Sequence, residues 1–202
     1  MNKVKICGIT NLSDAIACAE IKVDLIGFIF YKKSPRFIEV KEAKKICKYL
    51  SNYRINKVGV FVNETSKNIN QIANDVGLDF VQLHGEEPPE LINKIPFKII
   101  KAFSINSEEN IKYKSYKVDY WLFDTFDKKL HGGTGRSFDW ELISHIKKRD
   151  KIILSGGISL DNIKNAINKS DTSFFDICSG VEKSPGIKDI KKLQTIVRLI
   201  KS

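Results

Sequence analysis

The chain is poor in the residues that staple small secreted folds or gather metals. Its four cysteines, Cys7, Cys18, Cys47 and Cys178, contain no CxxC pair, and no two of its three histidines, His84, His131 and His145, are spaced to ligate one metal ion. A disulfide framework and a zinc module are thereby set aside, and a reducing compartment, the cytoplasm, is the expectation. No apolar run approaches the roughly 18–20 residues that span a bilayer. No charged-then-apolar leader precedes the first strand candidate, so neither secretion nor a membrane partner is expected. Pro- or Ser-rich linkers are also missing, which makes residues 1–202 a single expected domain.

What is present is an ordinary core and a basic surface: 42% hydrophobic residues, 29% charged, and a net charge of +10. A basic balance suits nucleic acid, an acidic membrane or an anionic small substrate, and it also arises from lysine-rich helix faces with no partner behind them. Nucleic-acid binding would need exposed aromatics among the lysines. Here Phe28, Phe30, Phe61, Phe80 and Trp121 fall in predicted strands. No nucleic-acid partner is expected; a small anionic substrate and lysine-rich faces with no partner both stay open.

Apolar runs alternate with amphipathic windows. Strands are predicted at 3–8, 24–30, 57–62, 79–83, 98–103, 119–124, 151–155 and 174–178. Between them, Leu12, Ala15, Ile16 and Ala19 keep one helical face, as do Val40, Ala43, Cys47 and Leu50, then Ile69, Ile72, Ala73 and Val76, and finally Ile190, Leu193, Val197 and Ile200. Asn11 with Asp14 and Ser159 with Asn162 mark helix starts, Gly77 marks a stop, and a short Pro-led stub is expected near 88–94. An open doubly wound sheet is the alternative architecture. Eight strand-then-helix units without a composition break favour an α/β fold of the (βα)8 TIM-barrel type. Runs such as Leu25-Ile26-Gly27-Phe28-Ile29-Phe30 then read as parallel strands buried on both faces.

In such a barrel the chemistry sits where strands end. That selects Cys7, Arg36, His84, Asp124, the loop from Gly132 to Gly135, Gly156-Gly157 and Ser179-Gly180. Glycine turns after the last two strands are suited to cradling a phosphate through backbone N–H groups, although either alone is commonly just a tight turn. Alternation along the first strand puts Lys5 and Cys7 on one face, toward the barrel interior. An inward lysine needs a partner, and Asp176 on the neighbouring last strand is the candidate. Cys7 can be a base if a cation lowers its pKa, or simply a small buried side chain. Asp124 can be a general acid or a turn cap, and His84 can orient substrate or satisfy a loop carbonyl. Arg36 can hold a carboxylate with two N–H groups, or sit solvated in its loop. Cys18 and Cys47 fall on apolar helix stripes and read as small buried hydrophobes.

Taken together, Lys5-Ile6-Cys7-Gly8-Ile9-Thr10, Ser34-Pro35-Arg36, Val58-Gly59-Val60-Phe61, Val81-Gln82-Leu83-His84-Gly85-Glu86, Phe123-Asp124-Thr125, Gly132-Gly133-Thr134-Gly135, Phe138-Asp139-Trp140, Leu154-Ser155-Gly156-Gly157 and Ser179-Gly180-Val181-Glu182 resemble the phosphoribosylanthranilate isomerase family. The motifs run in order from residue 5 to residue 182. The resemblance implies a metal-free and cofactor-free barrel enzyme of tryptophan biosynthesis, a monomer or homodimer, acting on a small phosphorylated substrate. It implies Cys7 as general base, Asp124 as general acid and Arg36 as the group holding the anthranilate carboxylate. It places the phosphate on the backbone near Gly156, Gly157, Ser179 and Gly180, with the loop ending at Gly135 closing over it. Two positions depart from the family pattern: Cys178 stands where a serine is expected, and Arg136 where a lysine is common. The analogous histidine-pathway isomerase, a rival reading, uses an aspartate where Cys7 stands.

Overall fold

The computed structural model describes residues 2–105, 113–125, 146, 149–170 and 172–202. Eight parallel strands close into a barrel in sequence order. They are β1 (Lys3–Cys7), β2 (Leu25–Ile29), β3 (Asn56–Phe61), β4 (Phe80–Leu83), β5 (Lys98–Ile105), β6 (Tyr120–Thr125), β7 (Ile152–Leu154) and β8 (Phe174–Ile177). Around them lie α1 (Leu12–Glu20), α2 (Val40–Tyr49), α3 (Ser66–Val76), α4 (Ile163–Ser170) and α5 (Ile190–Lys201). The predicted stub after β4 is a 3-10 helix, Pro89–Lys94. All eight predicted strands are present, with ends shifted by one or two residues, and the barrel replaces the open-sheet alternative.

Alternation of side chains divides the core in two. Leu25, Val58, Phe80, Ile100, Leu122, Ile153 and Phe174 pack together inside the barrel. Their chain neighbours, such as Ile26, Val81, Phe123 and Phe175, join the helices in the larger outer layer. Phe80, Tyr120 and Phe174 plug the amino-terminal mouth, with Tyr120 and Phe174 edge to face at 5.3 Å.

Strand starts are pinned by a repeated device that the sequence reading missed. Asp24, Asp79 and Asp119 each precede a strand, and each carboxylate accepts the first free N–H of the strand before it: Val4 at 2.8 Å, Lys57 at 2.7 Å and Ile99 at 2.8 Å. The sequence signal is an apolar residue followed by Asp immediately before a strand: Val23-Asp24, Leu78-Asp79, Val118-Asp119.

The helix boundaries follow local chemistry. Asn11 caps α1 by accepting the Asp14 N–H at 2.9 Å, and Gly77 ends α3 with φ +76°. Ser159 and Asn162 tie the turn that leads into α4, the Asn162 Oδ1 accepting the Ser159 N–H at 2.9 Å. The face of α1 is rotated from the expected one. Asp14, Ala15 and Cys18 are buried, while Leu12 is exposed. The rotation is tolerated because the Asp14 carboxylate accepts the buried Lys188 N–H at 2.8 Å.

A small antiparallel ribbon, β9 (Glu182–Ser184) with β10 (Ile187–Lys188), follows β8 and was not expected. Its signal is the Pro185-Gly186 pair, in which Gly186 takes φ +82° as a tight turn requires.

Candidate active site

The carboxyl ends of the strands surround one cavity. Cys7, Arg36, His84, Asp124, Gly156, Gly157 and Ser179 all line it, along with Gln82, Asp176 and Cys178. Gly180 does not. It sits behind the wall, where a Cβ would collide with the Ile158 carbonyl oxygen. Gly135, with the Gly132–Gly135 loop, Arg136, Asp127, Asp139, His131 and His145, lies outside the described residues.

Cys7 ends β1 and is buried among charges. Lys5 reaches Asp176 on β8 at 2.9 Å, the pairing expected from the inward lysine. Gly27 on β2 makes the space: a Cβ there would stand 2.8 Å from the Cys7 Sγ and 3.3 Å from the Lys5 Nζ. Lys188, from the ribbon, donates to the Cys7 carbonyl oxygen at 2.6 Å. The neighbouring Cys178 thiol does most to lower the Cys7 pKa; burial opposes it, and the ammonium groups of Lys5 and Lys188 lower it further. The thiol is thus held well below its ordinary value of 9.0. Burial pushes the Asp176 carboxyl up to about 6, against the pull of Lys5. Cys18 and Cys47 differ from Cys7: burial in apolar helix faces pushes each thiol up to about 12.

Asp124 closes β6 across the cavity. Its Oδ1 accepts the Thr125 N–H at 2.8 Å, and its Oδ2 lies 3.3 Å from the His84 Nε2. The other His84 nitrogen is 2.8 Å from the Gln82 amide nitrogen, so the imidazole is held between Gln82 and Asp124. Gly156 and Gly157 take φ +86° and +65° in succession. A Cβ on Gly156 would stand 2.8 Å from the Asp124 Oδ1 and would overlap Thr125. The glycine turn after β7 is therefore what lets the carboxylate of β6 sit where it does.

Arg36 carries the largest surprise. It does meet a carboxylate with two nitrogens, but the carboxylate belongs to Glu182: Nη2 donates to Oε2 at 2.8 Å and Nε to Oε1 at 3.0 Å. Glu182 also receives the Lys188 Nζ at 2.9 Å and the Gly186 N–H at 3.2 Å. The sequence reading assigned no role to Glu182 or Lys188, although Glu182 ends one of the quoted motifs. Both are buried charges near a glycine turn, a combination that signals paired function. The Nη1 of Arg36 takes no part in the Glu182 pairing, and Arg36 lines the cavity.

A second buried pair stitches the loops. Lys101 on β5 donates to Glu87 Oε2 at 2.9 Å and to the Gly85 carbonyl at 2.7 Å, while Glu87 Oε1 accepts the Asn63 N–H at 2.9 Å. The loops after β3 and β4 are thereby fixed to β5. Among the described residues, no group of His, Cys, Asp and Glu has the geometry of a metal site. No helix among them is long and apolar enough to cross a membrane.

A closed ring of eight parallel strands, with a thiol, an imidazole and a carboxylate converging on a cavity at its carboxyl end, defines a (βα)8-barrel enzyme. Comparison with known proteins gives the family. The family model for N-(5'-phosphoribosyl)anthranilate isomerase matches residues 4–199. The enzyme of that name from Pelobacter propionicus is 41% identical over 202 residues, covering 100% of this chain and 96% of its own length. The crystal structure of phosphoribosyl anthranilate isomerase from Thermotoga maritima has a TM-score of 0.89 at 39% identity, covering 100% of this chain and 99% of its own. That isomerase is described as dimeric. A phosphoribosyl anthranilate isomerase in complex with reduced 1-(o-carboxyphenylamino)-1-deoxyribulose 5-phosphate has a TM-score of 0.85 at 38% identity, with 100% and 99% coverage. The chain belongs to the N-(5'-phosphoribosyl)anthranilate isomerase family, and the activity that the motifs led us to expect is the family's.

Proposed function

We propose that the chain performs the Amadori rearrangement of N-(5-phosphoribosyl)anthranilate, an aldose–ketose isomerisation of tryptophan biosynthesis, with Cys7 as base and Asp124 as acid. The observation that carries this reading is that Cys7, on β1, and Asp124, on β6, line one cavity. Asp124 protonates the furanose ring oxygen, the ring opens, and an iminium forms at C1. The Cys7 thiolate removes the proton from C2, and the enolamine relaxes to the ketone. The iminium is itself the electron sink that acidifies the C2 proton. With Cys178, Lys5 and Lys188 holding its pKa well below the ordinary value, the Cys7 thiol gives up its proton more readily than a free cysteine and can serve as the base.

Binding divides along the cavity wall. The free edge of Arg36 receives the anthranilate carboxylate. The backbone at Gly156, Gly157 and Ser179, with Gly180 behind it, receives the phosphate, and Gly135 is assigned to the same binding role. His84 orients the ring-opening end of the substrate beside Asp124. The enzyme works in the cytoplasm, as a monomer or homodimer, on a small phosphorylated substrate and without a membrane or nucleic-acid partner.

The test is turnover. Phosphoribosylanthranilate, generated in situ because it is labile, is followed by fluorescence with wild type, Cys7→Ser and Asp124→Asn. Each variant, folded by circular dichroism, is expected to lose about 10²–10⁴-fold in kcat. No wild-type turnover above the spontaneous rate would overturn the reading, and full turnover in either variant would remove that residue from its role.

A further inference from the structure

We propose that Cys7 and Cys178 form a dithiol that hydrogen peroxide converts to a disulfide, silencing the cavity reversibly. Strands β1 and β8 close the barrel in register, Lys5 opposite Asp176 and Ile6 opposite Ile177, and Cys7 and Cys178 are the residues that directly follow that last pair. Neighbouring strands stand about 4.7–4.9 Å apart, inside the roughly 4.4–6.8 Å span of Cα atoms that a disulfide bridges. Both cysteines line the cavity, so a small oxidant reaches either sulfur. Both sulfurs also lie against glycines: Cys7 Sγ is 2.8 Å from where a Cβ on Gly27 would stand, and Cys178 Sγ 3.1 Å from where one on Gly8 would stand.

The two thiols divide the work. Cys7 is held toward the thiolate, which is the form that peroxide attacks. The Cys178 pKa is pushed well above its ordinary value, first by the neighbouring Cys7 and then by burial, and its thiol donates to Glu182 Oε1 at 3.9 Å. The Cys7 thiolate displaces hydroxide from peroxide and becomes a sulfenic acid, losing two electrons to the oxidant. Cys178 then attacks the Cys7 sulfur, its proton leaves with the expelled hydroxide as water, and the S–S bond forms. A thiol reductant returns both thiols. Cys18 and Cys47, buried on apolar helix faces, are internal controls.

The bond itself does not depend on the assignment of Cys7 as base; its effect on turnover does. The intact protein is treated with a small excess of hydrogen peroxide, alkylated, and digested without reductant for peptide mass mapping. Turnover is compared with the same protein untreated. The expected result is a Cys7–Cys178 cross-linked peptide, unmodified Cys18 and Cys47, and a roughly tenfold or greater loss of turnover that dithiothreitol restores. In Cys178→Ser, or Cys178→Ala if the first variant folds poorly, no cross-link forms and dimedone traps a sulfenic acid on Cys7. Absence of the cross-link in wild type, or a cross-link through Cys18 or Cys47, overturns the proposal. A Cys7–Cys178 cross-link with full turnover overturns the silencing and also removes Cys7 from the reaction.

Discussion

Glu182 holds Arg36 by two nitrogens, Nη2 to Oε2 at 2.8 Å and Nε to Oε1 at 3.0 Å, and joins that guanidinium to Lys188, which in turn donates to the Cys7 carbonyl oxygen at 2.6 Å. The group proposed to bind substrate and the strand end that carries the proposed base are therefore linked through one carboxylate. Burial disfavours a charge on Glu182, but Arg36 and Lys188 outweigh it and hold the carboxyl below its ordinary range. A depressed carboxyl contributes stability that is present above its unfolded-state pKa and is lost as pH falls through the folded value.

Glu182→Gln keeps the shape and removes the charge, leaving Arg36 and Lys188 without their common partner. The variant is expected to raise KM by about tenfold with a smaller change in kcat, because a loosened Arg36 weakens ground-state and transition-state binding alike. Its stability should fall by about 3–5 kcal/mol, as when one member of a buried ion pair is removed. Steady-state kinetics and urea unfolding check both; an unchanged KM would separate Glu182 from the carboxylate clamp.

Lys5→Met is expected to act on two groups at once. Loss of the ammonium removes one of the influences that lower the Cys7 pKa, so the acid limb of the pH–rate profile for kcat/KM moves upward. It also leaves Asp176, already pushed up to about 6, without the cation that opposes burial. A carboxyl whose folded pKa exceeds its unfolded pKa destabilises the fold above the unfolded value, and the penalty grows until pH passes the folded one. The variant's deficit relative to wild type should therefore be larger at pH 8 than at pH 5. Urea midpoints at the two pH values decide it, and an equal deficit would sink the account of Asp176.

Much of this was legible in the sequence, and the reasons are physical. Apolar runs located the eight barrel strands and the 3.6 period the main helices, because parallel strands buried on both faces leave continuous apolar runs such as Leu25–Ile29. Alternation on β1 points Lys5 at Asp176, and the two meet at 2.9 Å. What escaped was charge pairing outside the barrel strands, where no register relates the partners. Arg36 and Glu182 lie far apart in the chain, and nothing in either local segment reports the other. The α1 face was misjudged for the same reason: Asp14 is buried because Lys188, from the ribbon, supplies its hydrogen bond. The ribbon was announced by Pro185-Gly186, but its two short strands are too brief for a periodicity to show.

Gly27→Ala tests how tightly the base is seated. The added methyl would stand 2.8 Å from the Cys7 Sγ and 3.3 Å from the Cys7 Cα, closer than side chains normally approach. Because Gly27 is not at positive φ, its backbone accepts alanine and the barrel should survive. The thiol must turn away, so kcat is expected to drop by roughly tenfold or more, as a misplaced reacting group does. Alkylation by iodoacetamide at neutral pH reports the same displacement through a changed Cys7 reaction rate. Unaltered kcat and alkylation would mean that Cys7 does not need its present rotamer.

Asp119→Ala separates stability from catalysis. Asp119 sits at the amino-terminal side of β6, at the end of the barrel opposite the cavity, and its Oδ2 accepts the Ile99 N–H at 2.8 Å. Removing it strips a partner from the start of β5, where Ile99 is buried. An unsatisfied buried donor costs about 1–3 kcal/mol, so the urea midpoint should fall accordingly. The hydrogen bond from the Asp119 N–H to the Ile99 carbonyl, at 3.1 Å, is a backbone contact that alanine keeps, which holds the strand register in place. With register intact, the carboxyl ends of β5 and β6 keep their positions, and kcat should stay within about twofold of wild type. A loss of kcat larger than the loss of folded protein would show that strand starts and the cavity are coupled through the sheet.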